Sequence, residues 1–174
     1  MIGVLALQGG FLEHELVLGE LGLPFKRVVG PEPGLTGLII PGGESTVMDQ
    51  FMRQYGWVEW LQKVASDFPI YGTCAGLILL ARHGLLDVKV DRNAYGRQLA
   101  SFVATVNVKG LGQLKGAFIR APKILRVGEA VDILAEHEGV PVLVRQGQVW
   151  GSSFHPELVG ETALHERIFS CIDH

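Results

Sequence analysis

The chain has 174 residues, of which 48% are hydrophobic and 19% are charged, and its formal net charge is −3. This length and apolar content suit one folded domain with a buried core, and they exclude a disordered chain or two full-sized domains. The lack of net positive charge argues against nucleic-acid binding, and two cysteines are too few for a disulfide framework or a cysteine-built zinc site.

The first half of the chain alternates between strand and helix patterns. Short apolar runs at 2–7, 38–40 and 69–72 predict strands, as in a sheet buried on both faces, and a further strand is predicted at 25–29. Helical patterns follow at 11–21, 45–55, 58–65 and 75–82. Leu12 and Leu16 belong to the predicted apolar stripe of the first helix, and Ser45 or Thr46 is expected to cap the second. This alternation predicts a parallel sheet with helices on both faces.

The second half is dominated by short β-branched runs with turn residues between them. These predicted strands lie at 88–90, 101–108, 117–119, 131–134, 140–145 and 148–153, and a helix is expected at 162–171. No linker or repeat divides the chain. We therefore expect residues 1–174 to form one three-layer α/β domain, with a mostly parallel central sheet and an added antiparallel β region.

The sequence contains no signal for a membrane. No uncharged apolar run approaches the roughly 20 residues of a membrane span. The first seven residues lack the basic segment and the cleavage site of a signal peptide. We therefore expect a cytoplasmic protein without membrane contact, in a reducing environment.

The strongest local motif is GTCAG at 72–76, between a predicted strand and a predicted helix. A nucleophile flanked by glycines at such a turn is typical of a nucleophile elbow. The helix N-terminus favours a Cys74 thiolate, and the amide of Ala75 would face an oxyanion formed by its attack. The alternative from the motif alone is a buried, inert cysteine at a glycine-rich turn.

A second motif, SFHPE at 153–157, follows an apolar run. A thiol nucleophile needs a base, and the base needs a group that orients it. In an extended segment His155 and Glu157 would point to the same face, and Pro156 would keep the segment from becoming helical. Taken alone, a loop histidine beside a solvated glutamate is the commoner situation.

A third motif, PGGEST at 41–46, follows the predicted strand at 38–40. Two glycines before a helix can form an anion-binding nest, so Gly42 and Gly43 could complete an oxyanion hole with Ala75. A plain strand-to-helix turn is the alternative.

The remaining histidines and the second cysteine show no metal-binding spacing, so we predict no metal site. We expect surface or helix-face positions for the histidines. Cys171 is predicted to be a small core residue, and a Cys74–Cys171 disulfide is the alternative that stays open. The histidines concerned are His14, His83, His137, His165 and His174.

Together the three motifs resemble those of the class I, triad-type glutamine amidotransferases. LQG at 7–9, RNAYGRQ at 92–98 and FIRAP at 118–122 make the chain similar to one branch, the glutaminase subunits of pyridoxal phosphate synthase. The resemblance extends over essentially the whole chain.

The resemblance implies hydrolysis of L-glutamine to glutamate and ammonia, with Cys74 as nucleophile, His155 as acid and base, and Glu157 as its orienting partner. It implies no cofactor, and a synthase subunit as partner in a large hetero-oligomer that receives the ammonia. The implied glutamine pocket consists of Gly43, Glu44, Ser45, Arg92, Ile119 and Arg120. The arginines suit the α-carboxylate of glutamine.

Three other functions stay open on the sequence. The chain could be the glutaminase subunit of another amidotransferase, or a different cysteine hydrolase on the same fold. It could also be a binding module that has lost catalysis, although a complete triad argues against this.

Overall fold

The computed structural model describes residues 1–92 and 101–170. The strands are β1 (Ile2–Leu5), β2 (Phe25–Val28), β3 (Gly37–Ile40), β4 (Ile70–Thr73), β5 (Val88–Asp91), β6 (Phe102–Val108), β7 (Gly112–Phe118), β8 (Lys123–Val127), β9 (Asp132–His137), β10 (Val140–Gln146) and β11 (Val149–Ser152). The helices are α1 (Phe11–Glu20), α2 (Ser45–Gln54), α3 (Trp57–Val64), α4 (Ala75–Arg82) and α5 (Ala163–Phe169). Cys171, His174 and the RNAYGRQ motif after Arg92 lie outside the described residues.

A seven-stranded sheet in the order β2-β1-β3-β4-β11-β10-β9 forms the middle layer. The first five of these strands are parallel, and β10 and β9 continue the sheet as an antiparallel ribbon. Gly72 of β4 pairs with Ile40 of β3 on one side and Gly151 of β11 on the other. The chain segments that follow these three strands are therefore neighbours at one edge of the sheet.

Each face of the sheet has its own hydrophobic core. On one face, side chains of α2, α3 and α4 such as Met48, Leu61 and Leu77 pack on Leu38 and Ile40. On the other face, Leu18 of α1 and Phe169 of α5 pack on Ile39 and Tyr71. Ile39 and Ile40 show why the central strands are apolar throughout, since neighbouring residues enter opposite cores.

Two small antiparallel sheets extend the cores. The β5–β8 pair adds Val88 and Ile124 to the first core, and the β6–β7 hairpin adds Val106 and Leu114 to the second. The predicted fold class is confirmed: a mostly parallel central sheet with helices on both faces and an added antiparallel region.

Two local predictions about the helices are wrong, and one strand was not predicted. Leu12 and Leu16 are exposed, and α1 buries His14 and Glu15 beside Val17 and Leu18 instead. Glu44 rather than Ser45 or Thr46 caps α2, because its carboxylate accepts hydrogen bonds from the amides of Thr46 and Val47. Strand β8 was not predicted, because charged residues flank its two-residue apolar centre.

Strand β7 also begins earlier than predicted, at Gly112 rather than at 117. Of the helices in the described part of the chain, none has the length and apolar character needed to cross a bilayer.

Candidate active site

Four chain segments meet at the carboxyl edge of the parallel strands. They follow β1, β3, β4 and β11, and they hold Gln8, the Gly42–Gly43 pair, Cys74 and His155. This edge is where open parallel sheets place their ligands, because the strand order reverses there and the loops diverge. All three motifs singled out in the sequence lie at this edge.

Cys74 occupies a strained turn between β4 and α4, with φ 52° and ψ −102°. Its amide donates to Ser152 O at 2.8 Å, and its side chain is partly exposed. The turn is possible because two glycines permit close contacts. A Cβ on Gly72 would lie 2.6 Å from the Gly76 carbonyl carbon, and a Cβ on Gly76 would lie 2.1 Å from Ile40 O. The thiol is therefore raised above the sheet, beside the first turn of α4.

His155 and Glu157 form a buried pair beside this turn. The Nδ1 atom of His155 lies 2.6 Å from Oε1 of Glu157, and backbone bonds to Ala117 in both directions fix the histidine. The expected extended segment is wrong, since Pro156 has helical angles (φ −68°, ψ −32°) and Glu157 begins a single 3₁₀ turn. The carboxylate reaches the imidazole because this turn folds it back, not because the two residues share a strand face.

The electrostatics of the pair favour a charged imidazole next to a charged carboxylate. Burial alone would lower the pKa of His155, but hydrogen bonds to Cys74 and Glu157 and the charges of both raise it to about 10. Burial would raise the pKa of Glu157, but the neighbouring His14 and the His155 hydrogen bond lower it to about 2. At neutral pH the imidazole therefore carries a proton that it can give away, and the carboxylate is ionised.

The Gly42–Gly43 loop fits between the loop after β1 and the His155 ring. The Gly10 amide donates to Gly42 O at 2.9 Å, and a Cβ on Gly42 would lie 2.4 Å from Cε1 of His155. The Gln8 carboxamide accepts from the Glu44 amide at 2.8 Å. A side chain at either glycine would collide with the site, so this loop is shaped to approach the imidazole closely.

A cavity of about 450 Å³ opens beside Cys74. All six predicted pocket residues line it, together with two residues of the predicted triad, with Ala75 and with Ile78, which the sequence analysis missed. The Arg92 guanidinium is held at the rim by Thr46 Oγ1 at 2.9 Å and Ser45 Oγ at 3.3 Å. Arg120, with a positive φ of 44°, enters from the segment after β7.

The site has a buried polar layer behind it that the sequence analysis also missed. His14 and His165, expected at the surface or on helix faces, have no exposed surface at all. His14 is in contact with Glu157, His165 and Thr73. The available signal was the spacing of His14 from Val17 and Leu18, three and four residues further along the same face of α1, which the exposed leucines obscured.

In the described parts of the chain, 1–92 and 101–170, no group of three or more His, Cys, Asp or Glu side chains is arranged to hold a metal ion. His83 instead bonds Asp49 at 2.6 Å, and His137 packs against Phe118.

The fold is that of the class I glutamine amidotransferases. Residues 4–171 match the model of the SNO glutamine amidotransferase family, and the chain belongs to that family.

Similar proteins cover almost the whole chain. It is 45% identical to "Pyridoxal 5'-phosphate synthase subunit PdxT" of Thermosipho africanus, over 98% of each chain. It is 47% identical to a protein of the same name from Thermus thermophilus, over 95% of this chain and 94% of the relative. A solved structure described as a glutamine amidotransferase superposes with a TM-score of 0.94, at 44% identity and 98% coverage of both chains.

Proposed function

We propose that this chain is the glutaminase subunit of pyridoxal 5'-phosphate synthase, which hydrolyses L-glutamine to L-glutamate and ammonia. The observation that carries the proposal is the 45–47% identity, over nearly the full length of both chains, to relatives named as that synthase's subunit. Membership of a glutamine amidotransferase family supports the same reaction. We take residues 1–174 as one amidotransferase domain.

In the first step the Cys74 thiolate attacks the side-chain amide carbon of glutamine. A carbon–sulfur bond forms, and the carbonyl oxygen becomes an oxyanion. We assign the stabilising amides to Ala75, at the start of α4, and to Gly42 and Gly43. Amide hydrogens aimed at a developing negative charge are among the largest contributions to such reactions.

In the second step His155 gives its proton to the leaving nitrogen, the carbon–nitrogen bond breaks, and ammonia departs. The product is a γ-glutamyl thioester on Cys74. His155 then takes a proton from water, whose oxygen attacks the thioester and expels the thiolate as glutamate forms. Glu157 stabilises the positive imidazole in both half-reactions. The steps use only protein groups and water.

Glutamine would fill the 450 Å³ cavity beside Cys74. We assign its α-carboxylate to Arg92 and Arg120, because a guanidinium suits a carboxylate. Gly43, Glu44, Ser45 and Ile119 form the rest of the pocket. The hydrogen bonds by which Glu44 caps α2 also lower the pKa of its carboxyl group. The carboxylate therefore stays ionised, which suits binding of the α-ammonium group of glutamine.

The ammonia would pass to a synthase subunit, and we propose that the two subunits form a large hetero-oligomer whose contacts complete the oxyanion hole. We further propose a cytoplasmic location, because the proposed nucleophile has to remain a free thiol. Cys74 is a free cysteine in the structure.

The test combines the chain with the synthase subunit and its phosphorylated substrates, and measures pyridoxal phosphate formed from glutamine or from ammonium chloride. Cys74→Ala should abolish glutamine-dependent synthesis but leave ammonium-dependent synthesis intact. Glutamine hydrolysis by Cys74→Ala at the wild-type rate would overturn the nucleophile assignment. Hydrolysis by the wild type without any synthesis would indicate a different amidotransferase.

A further inference from the structure

Two histidines that the proposed mechanism does not use are fully buried directly behind Glu157. Nε2 of His14, on α1, lies 3.3 Å from Oε1 of Glu157 and 3.2 Å from Thr73 Oγ1. Nδ1 of His14 lies 2.8 Å from Nε2 of His165, on α5. A continuous chain of polar contacts therefore leads from α5 through α1 to Glu157, and on to His155.

The hydrogen positions in this chain follow from which atoms have partners. Nδ1 of His165 is buried and has no hydrogen-bond partner among the described residues. A buried N–H without an acceptor costs more than a bare ring nitrogen, so we assign the His165 hydrogen to Nε2. That hydrogen is donated to Nδ1 of His14. The hydrogen of His14 is then on Nε2, which is bonded to Thr73 Oγ1 and lies 3.3 Å from Oε1 of Glu157.

Both histidines are neutral donors. Burial is the largest influence on both groups: it lowers the pKa of His14, and it lowers the pKa of His165 to about 3, with repulsion by a protonated His14 adding to this only in acid. A cation behind Glu157 would cancel its charge. A neutral imidazole packed against the carboxylate limits its movement and leaves its negative charge for His155.

We propose that His14 is a positioning residue of the glutaminase reaction, which holds Glu157 in the orientation that His155 needs, and that His165 fixes the tautomer of His14. The inference rests on the proposed function. His14 is not one of the described residues that line the cavity beside Cys74. It therefore acts through Glu157 and does not contact glutamine.

The position of α1 explains why this helix supplies the residue. Gly10, just before α1, also donates to the Gly42 carbonyl of the proposed oxyanion loop. One short segment of chain therefore contacts both the carboxylate end and the oxyanion end of the site.

The test measures glutamine hydrolysis by the complex with the synthase subunit, for His14→Leu, His14→Asn and His14→Gln. The leucine variant has no donor, and the asparagine amide cannot reach the Nε2 position, whereas the glutamine amide can. We expect kcat to fall about 10- to 100-fold in His14→Leu and His14→Asn, with KM for glutamine nearly unchanged. His14→Gln should recover most of kcat. If His14→Leu does not fold, the comparison of His14→Asn with His14→Gln still tests the proposal.

A pH profile adds a readout that a merely structural role would not change. The groups around His14 are Glu157 and His155 across the site, His165 and Tyr71 beside it, and Glu13 on its own helix. Without His14, Glu157 loses an electrostatic interaction that lowers its pKa, so this pKa rises and kcat should begin to fall at higher pH on the acid side. His14→Gln should restore the wild-type profile.

His83→Leu is the matched control, because it removes a histidine whose side chain is largely buried and bonded to Asp49, at the other end of α4 from Cys74. It should leave kcat within about twofold of the wild type. A folded His14→Leu or His14→Asn variant with wild-type kcat and pH profile would overturn the proposal. If the wild-type complex hydrolyses no glutamine, the proposed function fails instead.

Discussion

At the scale of single residues, the Glu157 carboxylate concentrates its contacts on one oxygen. Oε1 faces both His155 and His14, whereas Oε2 has no hydrogen-bond partner in the described residues. Replacing the carboxylate by an amide removes the negative charge that helps to raise the pKa of His155. We therefore expect Glu157→Gln to lower kcat for glutamine by about 10²–10⁴-fold. NMR titration of His155 should show its pKa falling towards 6.5, while the exposed control Glu166→Gln should change neither value.

At the scale of secondary-structure elements, the first turn of α4 packs closely against strand β3. Gly76, in its first turn, leaves no room for a Cβ beside Ile40 O, whereas Gly19 in α1 has its nearest neighbour, Phe25 Cε1, at 4.0 Å. Gly76→Ala should destabilise the protein by about 3 kcal/mol through overpacking. Gly19→Ala should stabilise it by about 0.5–1 kcal/mol, because alanine is the better helix former. Thermal unfolding should show a lower Tm for Gly76→Ala and a higher Tm for Gly19→Ala than for the wild type. Equal Tm values would contradict the close approach of α4.

At the scale of the whole molecule, the buried histidines make folding sensitive to acid. Unfolding frees His165 to take up a proton at its ordinary pKa of 6.5, whereas in the folded protein its pKa is about 3. Stability contributed by neutral His165 is therefore present above pH 6.5 and is lost as the pH falls below it. The loss is about 1.4 kcal/mol per pH unit for this residue alone.

Between pH 6.5 and 4.5 His14 adds to this loss, because its pKa is lowered as well, whereas His155 and Glu157 take no part. The pKa of His155 is raised, so its contribution to stability is fully present below pH 6.5. The contribution of Glu157 to stability begins to fall only below its ordinary pKa of 4.5. Urea unfolding at pH 6.5 and 4.5 should show a stability loss that is smaller by about 2–3 kcal/mol in His165→Gln than in the wild type. Equal losses would contradict a neutral His165.

Most of the architecture could be predicted from the sequence, because apolar runs such as 38–40 and 69–72 identify central strands without reference to their neighbours. The cluster of Cys74, His155 and the Gly42–Gly43 loop was also accessible, since each follows a predicted strand. Strand β8 and the buried face of α1 were not, because their burial is decided by long-range packing rather than by local pattern. His14 is the clearest case, since its partners Glu157 and His165 are more than 140 positions away.

The position of β11 in the sheet has a consequence for how the protein is made. It is the last strand along the described chain, yet it lies between β4 and β10 and is the link between the two halves of the central sheet. During synthesis, the early parallel strands and the later ribbon therefore leave the ribosome before the strand that joins them has been made. His155 follows that same strand, so a nascent chain gains its imidazole only when the sheet can close. Unfinished chains consequently expose sheet edges, but they cannot consume glutamine.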